Sequence, residues 1–416
     1  MSFKKSLVTP RVLIVGGGFA GTTLARKLIL GMCGSTKLNV TLISNKSYFE
    51  YYPAFYRVVT GATPAEVCIS LADLVPKEVD IVIDKIVSAD LVKKEVKGLS
   101  GHVYTADYIV LATGSQTTYF NLPGLPDLSF GFKSIAEAVK LKKHIENLFI
   151  EKARSNNSLN SSTENPKDMV SAFQVVVVGG GPSGVEVSGN LVSYMKKLAI
   201  NYRVDPSFVT VDLVERGGRL IPATHPHASA AALARLQNLG VNVFLNREVM
   251  SEDVEKILMS DMSLQTKTVI WTAGTSINAL YNSIEGLQCT ERHRVLVDDH
   301  LEAAGFKDIY IAGDGAGTTY AGLAQTAIHD GHYVANDILW KIDTTKIKKD
   351  RKIYKVKNID YIIPIGHNWA IMSLGTFHIF GWPAYFVRQC LDFFYFAGIL
   401  SIKKSFKLFW KGNKFQ

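Results

Sequence analysis

Apolar residues in this chain fall into short unbroken runs, and the strongest of these runs end in small residues or glycine. Val12-Leu-Ile-Val15, Val175-Val-Val-Val178, Ile109-Val-Leu-Ala112, Val269-Ile-Trp271 and Ile309-Tyr-Ile-Ala312 are each three or four residues long and lack polar interruptions. Runs of that length next to glycine predict strands buried on both faces, as in a parallel sheet covered by helices. After the first run, Leu24, Ala25 and Leu28 recur at helical spacing, and Leu38-Asn-Val-Thr-Leu-Ile-Ser44 then predicts another strand. Strand, helix, strand is the unit of an α/β fold.

The turn inside that unit carries chemistry. Gly16, Gly18 and Gly21 have the G-x-G-x-x-G spacing. The first glycine makes the tight turn, the second lets a pyrophosphate approach the backbone, and the third lets the helix pack on the strand. The helix N-terminus then offers free N–H groups to the phosphates. One such motif is weak evidence by itself. It recurs 163 residues later, where Phe173–Val178 leads into Gly179-Gly-Gly-Pro-Ser-Gly184 and Phe208–Glu215 supplies the following strand. The two second strands end differently. Glu215 is placed to accept from both hydroxyls of an adenosine ribose, favouring NADH over NADPH, although Arg216 beside it weakens the preference. Ser44, followed by Asn45, is a weaker ribose acceptor.

Three further strands end in small-residue turns. Tyr108–Ser115 and Thr268–Gly274 follow the two glycine loops at comparable distances, as if closing equivalent domains. Asp308–Gly315 ends in Asp314, a carboxylate that needs a hydrogen-bond partner; it suits either a helix N-cap or a cofactor hydroxyl. A helix is predicted to begin near Ala324. Ala153–Asp168 is polar and reads as a loop.

Composition changes the picture at one end only. Residues 341–416 hold 14 Lys/Arg against 4 Asp/Glu, so this tail carries +10 of the chain's net +9 and the remainder is −1. Trp369, Phe377, Phe380, Trp382, Tyr385, Phe386, Phe393–Phe396, Phe406, Phe409 and Trp410 share the tail with Lys403, Lys404, Lys407, Lys411 and Lys414. Aromatics with lysines suit an interfacial helix on anionic lipid, with Ser401–Lys411 as one such helix. A core-packing or dimer helix is the alternative, and nucleic acid is disfavoured because no ribonucleoprotein motif accompanies the rings. Arg388 and Asp392 interrupt any long apolar run, and no stretch reaches the roughly 18–20 residues of a spanning helix. Met1–Pro10 is too short and polar for a secretory signal. Cys33, Cys68, Cys289 and Cys390 lie far apart, which disfavours a disulfide framework or zinc site, and His225 and His227 lack a third ligand. No metal is expected.

Taken in order, these motifs resemble the flavoproteins with two dinucleotide-binding domains, the glutathione reductase superfamily, over residues 10–340. Within it, Ser47–Tyr56, Gly179–Gly189, Thr268–Gly274 and Ala324-Gln-Thr-Ala-Ile-His-Asp-Gly331 are similar to motifs of type II NADH dehydrogenase. The resemblance implies an α/β fold with two Rossmann-like domains plus a C-terminal amphipathic helical membrane-anchoring segment. Non-covalent FAD would be held by Gly16, Gly18, Phe19, Ala20, Gly21, Ser44, Pro53, Thr113, Gly114, Gly313, Asp314 and Ala324. NADH, as substrate, would be held by Gly179, Gly181, Pro182, Ser183, Gly184, Glu186, Glu215, Ala273 and Gly274. It also implies that Glu186 lies beside the nicotinamide, in the first turn of its helix, and that Gln325 serves a quinone. His329 stands where the family has a second glutamine.

The resulting expectation is hydride transfer from NADH to FAD and electron transfer to a membrane quinone, without proton pumping. An antioxidant NAD(P)H:quinone reductase and a redox-responsive flavoprotein like apoptosis-inducing factor remain open. The disulfide reductases and sulfide:quinone oxidoreductases are disfavoured by the absence of their cysteine pairs. The expected domains are 1–122 and 289–340 for FAD, 123–288 for NADH with a linker at 153–168, and 341–416 for anchoring. The expected setting is the cytoplasmic face of the inner (cell) membrane, as a peripheral protein, with a homodimer as a further possibility.

Overall fold

The computed structural model describes residues 9–32, 37–157, 170–343, 350–357 and 360–406. The chain divides into two compact units: residues 1–50, 68–116 and 276–359 form one, and 51–67, 117–275 and 360–416 the other.

The first unit is built on a five-stranded sheet in the order Ile309–Ile311, Tyr108–Leu111, Arg11–Val15, Asn39–Ser44, Val79–Ile83, all parallel. Its inner strands are almost wholly buried, which is why they carry no polar alternation. Helices Phe19–Leu30 and Ala324–Ile342 pack against each other. Their crossing is close because Gly331 faces the Ala20 carbonyl; a Cβ there would lie 2.6 Å from that oxygen. The far end of the second helix is tied down by charge. Lys341 reaches Glu302 at 2.7 Å and Asp308 at 2.8 Å, while Arg351 and the Tyr310 hydroxyl each meet Asp337 at 2.7 Å.

The second unit repeats the plan. Its parallel sheet runs Phe130–Gly131, Thr268–Trp271, Gln174–Val178, Thr210–Val214, Val241–Phe244. Each unit also carries a three-stranded antiparallel sheet, 86–105 in the first and 249–265 in the second. The glycine-loop strand is central in both parallel sheets, so each loop opens at the carboxyl ends of the strands, where open α/β sheets bind ligands.

The tail differs from a purely helical segment. Tyr361–Pro364, Ala370–Leu374 and Phe377–Gly381 form an antiparallel sheet before helix Trp382–Ile399 begins. Ile362, Ile363 and Ile371 favour a pleated surface, and Gly375 takes φ +57° in the two-residue turn that the hairpin requires. Residues 360–416 group with the second unit, whereas 350–357 stay with the first. Residues 402–406 are helical and Ser401 is not; 407–411 of the expected Ser401–Lys411 helix lie outside the described residues. Cys68, Cys289 and Cys390 are free thiols, and Cys33 also falls outside them. Among the described residues no helix is long and apolar enough to cross a membrane, and no group of three His, Cys, Asp or Glu could hold a metal.

Candidate functional site: two glycine cradles and a buried charge cluster

The two glycine loops share one steric design. A Cβ on Gly16 would sit 2.1 Å from the Ala112 carbonyl oxygen, and one on Gly21 would sit 1.9 Å from that of Gly16. In the second loop, Gly179 is closed by Thr272 and Ala273 at 2.8–2.9 Å, and Gly184 by the Gly179 carbonyl at 1.8 Å. The middle glycines are the opposite case: nothing lies within 4 Å of the Cβ position of Gly18 or of Gly181. The outer glycines are therefore required by the fold, and the middle ones leave room for something else. The helices that follow, Phe19–Leu30 and Pro182–Asn201, have no side-chain cap and no acid in the first turn. Ala20 lies in the first of these helices, and Pro182 and Ser183 open the second. Uncapped N–H groups above an open glycine form a cradle for a dinucleotide pyrophosphate. Both cradles fit that group.

Around the first cradle, buried Ser44 ends its strand, and its hydroxyl accepts from the Lys46 amide at 3.2 Å. Asp314 lies in the turn Gly313–Gly315 and accepts from the Ser115 hydroxyl at 2.5 Å, while the Arg294 guanidinium holds its backbone carbonyl. Asp314 is therefore not a helix N-cap; the helix starts ten residues later, at Ala324. Gly313 takes φ +76°, with Ala20 and Ala327 both 3.4 Å from its Cβ position. Gly114 also needs its positive φ of +71° and faces open space. Pro53 lies in the second unit, where its carbonyl accepts from Arg388 at 3.1 Å.

Asp330 was not singled out from sequence. It is fully buried, and it accepts from the Gly313 amide at 2.9 Å and the Tyr354 hydroxyl at 2.7 Å. Burial pushes its carboxyl up to about 6, against the lowering by those two donors. It thus pins the Asp314 turn to the Ala324–Ile342 helix. On the same helix Gln325 is exposed. His329 has Nε2 2.9 Å from the Lys355 carbonyl and its ring 5.4 Å from that of Tyr354.

Around the second cradle, Glu215 turns its carboxylate onto its own loop, taking the Gly180 and Gly217 amides at 2.6 Å each. Arg216 points outward, 3.4 Å from Glu248. Gly274 packs against Phe120. Glu186 is the fifth residue of its helix and stands in the second turn, not the first, because the helix begins at Pro182. It is therefore too far along to complement the helix dipole, whose effect fades within the first turn.

Glu186 has a different environment. Burial drives its carboxyl up to about 8, opposed by Arg388 and Arg57 and assisted by Asp392. Asp392 accepts from the Tyr51 hydroxyl at 2.6 Å and lies 3.1 Å from Arg388 and 3.7 Å from Arg57. Arg388 also donates to the Ile362 carbonyl at 3.0 Å, and Arg57 to Gln389 at 3.2 Å. The cluster draws on residues 51–57, the 182–201 helix and the C-terminal helix. No spacing rule links those segments, and the one hint in the sequence is two opposite charges four residues apart in an aromatic stretch.

Residues 10–331 match the pyridine nucleotide-disulphide oxidoreductase family. The chain belongs to that family. Curated relatives within reach of this sequence are named type II NADH:quinone oxidoreductase. One from Mycobacterium tuberculosis is 25% identical over 410 residues, covering 93% of this chain and 84% of its own. Another, from Staphylococcus haemolyticus, is 28% identical over 347 residues, 79% of this chain and 81% of its own. Among solved structures, NDH2 from Plasmodium falciparum in complex with NADH shares the fold at TM-score 0.84, with 18% identity and 98% of both chains covered. A sulfide:quinone oxidoreductase from Aquifex aeolicus shares it at TM-score 0.74, with 18% identity over 92% of this chain and 89% of that one. The pyridine nucleotide-disulphide oxidoreductase architecture thus accounts for the duplicated units. Among the described residues, Cys68, Cys289 and Cys390 are free thiols and form no disulphide.

Proposed function

We propose that this protein oxidises NADH through a non-covalently held FAD and passes the electrons to a membrane quinone. The observation that carries this reading is the pair of open glycine cradles, taken with relatives named for that reaction. The first cradle, with Phe19, Ser44, Thr113, Asp314 and Ala324, holds FAD, which when bound accepts hydride from the nicotinamide and releases electrons to the acceptor. The second, with Glu215 and Ala273, holds NADH. The N-terminus of the Ala324–Ile342 helix is uncapped and free of acid, so it can stabilise negative charge on a reduced cofactor. Reduction of a quinone by NADH consumes one proton, and Glu186, protonated at neutral pH, holds it.

Stopped-flow kinetics test the assignment. Mixing with NADH should bleach the flavin rapidly, and a short-chain quinone should restore it. Gln325→Ala or His329→Ala should slow the second step with the first nearly intact. A flavin that NADH reduces but no quinone reoxidises would overturn the quinone assignment.

Nicotinamide choice should follow Glu215. Glu215→Gln removes the negative charge that repels a 2′-phosphate and should cut the preference for NADH over NADPH by about tenfold. Equal efficiency with both cofactors in the unmodified protein would assign control to Arg216.

The C-terminal helix supports attachment to a lipid surface. Its polar Gln389 and Asp392 face inward, while Trp382, Phe386 and Phe394 are 53–66% exposed. Ile402 and Phe406 continue the exposed apolar surface beside Lys403 and Lys404. Exposed apolar patches of this kind mark interaction sites. Binding to anionic liposomes should weaken in high salt, which screens the lysines, yet persist in part through the rings. Trp382→Ser with Phe386→Ser should remove the salt-resistant part; unchanged flotation of that variant would exclude this face as the anchor.

A further inference from the structure

The second unit contains a cavity of about 280 Å³. Residues 56–62 form one wall, the outer half of the Pro182–Asn201 helix another, and Gly366–His367 closes an end. None of its lining residues is acidic. Two are cations: Arg57, whose side chain is 14% exposed, and Lys197, which is exposed at the mouth. Asn190, Ser193 and Thr60 add hydrogen-bonding groups, while Tyr56 and Leu198 supply apolar surface. The nearby carboxylate, Glu146, is already engaged by the Tyr194 hydroxyl at 2.8 Å and lies 3.9 Å from Lys142.

Arg57 is only loosely compensated from within. Asp392 stands closer to Arg388 than to Arg57, 3.1 Å against 3.7 Å. With Glu186 neutral, the two guanidiniums and one aspartate leave a buried excess of one positive charge. Arg57 thus shares its one carboxylate with Arg388 and otherwise meets only the neutral Gln389 and Tyr56 side chains, and a planar guanidinium matches a further carboxylate in geometry. We propose that this cavity binds a small organic carboxylate, with Arg57 as its charge partner, Lys197 at its mouth and the Tyr56 and Leu198 surfaces against its apolar body. A bare inorganic anion would leave those surfaces uncovered.

Occupancy has a consequence for turnover, and this part rests on the reading of Glu186 as the proton holder. The charged groups acting on Glu186 are Arg57, from the segment before the cavity, and Arg388 and Asp392 from the C-terminal helix. An anion on Arg57 offsets one of the two positive charges that favour ionised Glu186. Glu186 then keeps its proton to higher pH, and the alkaline limb of quinone turnover moves up.

The test uses full-length, FAD-loaded protein and benzoate as probe, with benzamidine and inorganic phosphate as comparisons, read by calorimetry. Benzoate should bind with a Kd of about 1 mM or tighter. Ser193→Trp, at an exposed helix position, should block the mouth and abolish binding. Lys197→Glu, also exposed, should weaken it about threefold to fivefold. Failure of benzoate to bind, equal binding of phosphate or benzamidine, or binding that survives Ser193→Trp would overturn the site. Saturating benzoate should shift the alkaline limb upward in the parent and not in Ser193→Trp. Benzoate that binds in the Ser193-dependent way without moving that limb would overturn the link to Glu186 and leave the site standing.

Discussion

Replacing Asp392 with alanine should lower the thermal midpoint of the protein by about 6–20 °C. Asp392 is 7% exposed and is the anion shared by Arg388, Arg57 and the Tyr51 hydroxyl. Removing one partner of a buried ion pair typically costs about 3–5 kcal/mol, because the remaining charge stays desolvated. In a domain of this size each kcal/mol is worth about 2–4 °C. A paired replacement separates loss of charge balance from loss of packing. Asp392→Leu combined with Arg388→Met removes both members of the closer pair and should recover much of the loss, since apolar replacements of whole pairs are often neutral. If Asp392→Ala melts within a degree or two of the parent, Arg388 and Arg57 are solvated in solution. The ion-paired cluster would then be excluded, together with its part in setting Glu186.

Glu186→Gln should act in opposite directions on turnover and stability. A side chain that delivers a proton in the rate-determining region contributes about 10²–10⁴-fold, so quinone reduction should fall by at least a hundredfold while reduction of the flavin by NADH is less affected. In the parent, quinone turnover should decline as pH rises through about 8, where Glu186 loses its proton; in the variant that limb should be absent. The sign for stability follows from linkage. The carboxyl ionises near 4.5 in the unfolded chain and near 8 in the folded one, so across that window the folded state holds a proton that the unfolded state has released. Stability contributed at this site therefore falls as pH rises from about 4.5 to 8 and is lowest above it. Glutamine removes that loss, and the variant should melt higher than the parent at pH 8 but not at pH 4. A variant that loses turnover and stability together would make Glu186 a structural residue.

These two residues also show where sequence reading stops. The duplicated α/β plan was legible because its signals are local. An apolar run, a glycine at a fixed spacing and a helical stripe each lie within about twenty residues, and parallel strands buried on both faces need no partner to betray them. The steric roles of Gly16, Gly21, Gly179 and Gly184, and the freedom left at Gly18 and Gly181, follow from the same short motifs. Glu215 was legible as a strand-end acid, though not that its carboxylate would hold the Gly180 and Gly217 amides.

Contacts between distant segments decided the rest. Arg388 and Asp392 read as breaks in an apolar anchor; folded, they turn inward to Tyr51, 341 residues from Asp392, and their helix presents its aromatics outward. Three isoleucine-bearing segments in a basic tail formed a sheet because they could pair with one another. Asp330 became a clamp through a glycine amide 17 residues earlier and a tyrosine 24 residues later. Glu186 was visible as an acid on the correct helix, but its carboxyl is pushed up to about 8 because tertiary packing desolvates it and sets Asp392 nearby, against the opposing pull of Arg388 and Arg57. Sequence spacing specifies which backbone groups can reach a phosphate; desolvation and charge balance exist only once distant segments are packed together.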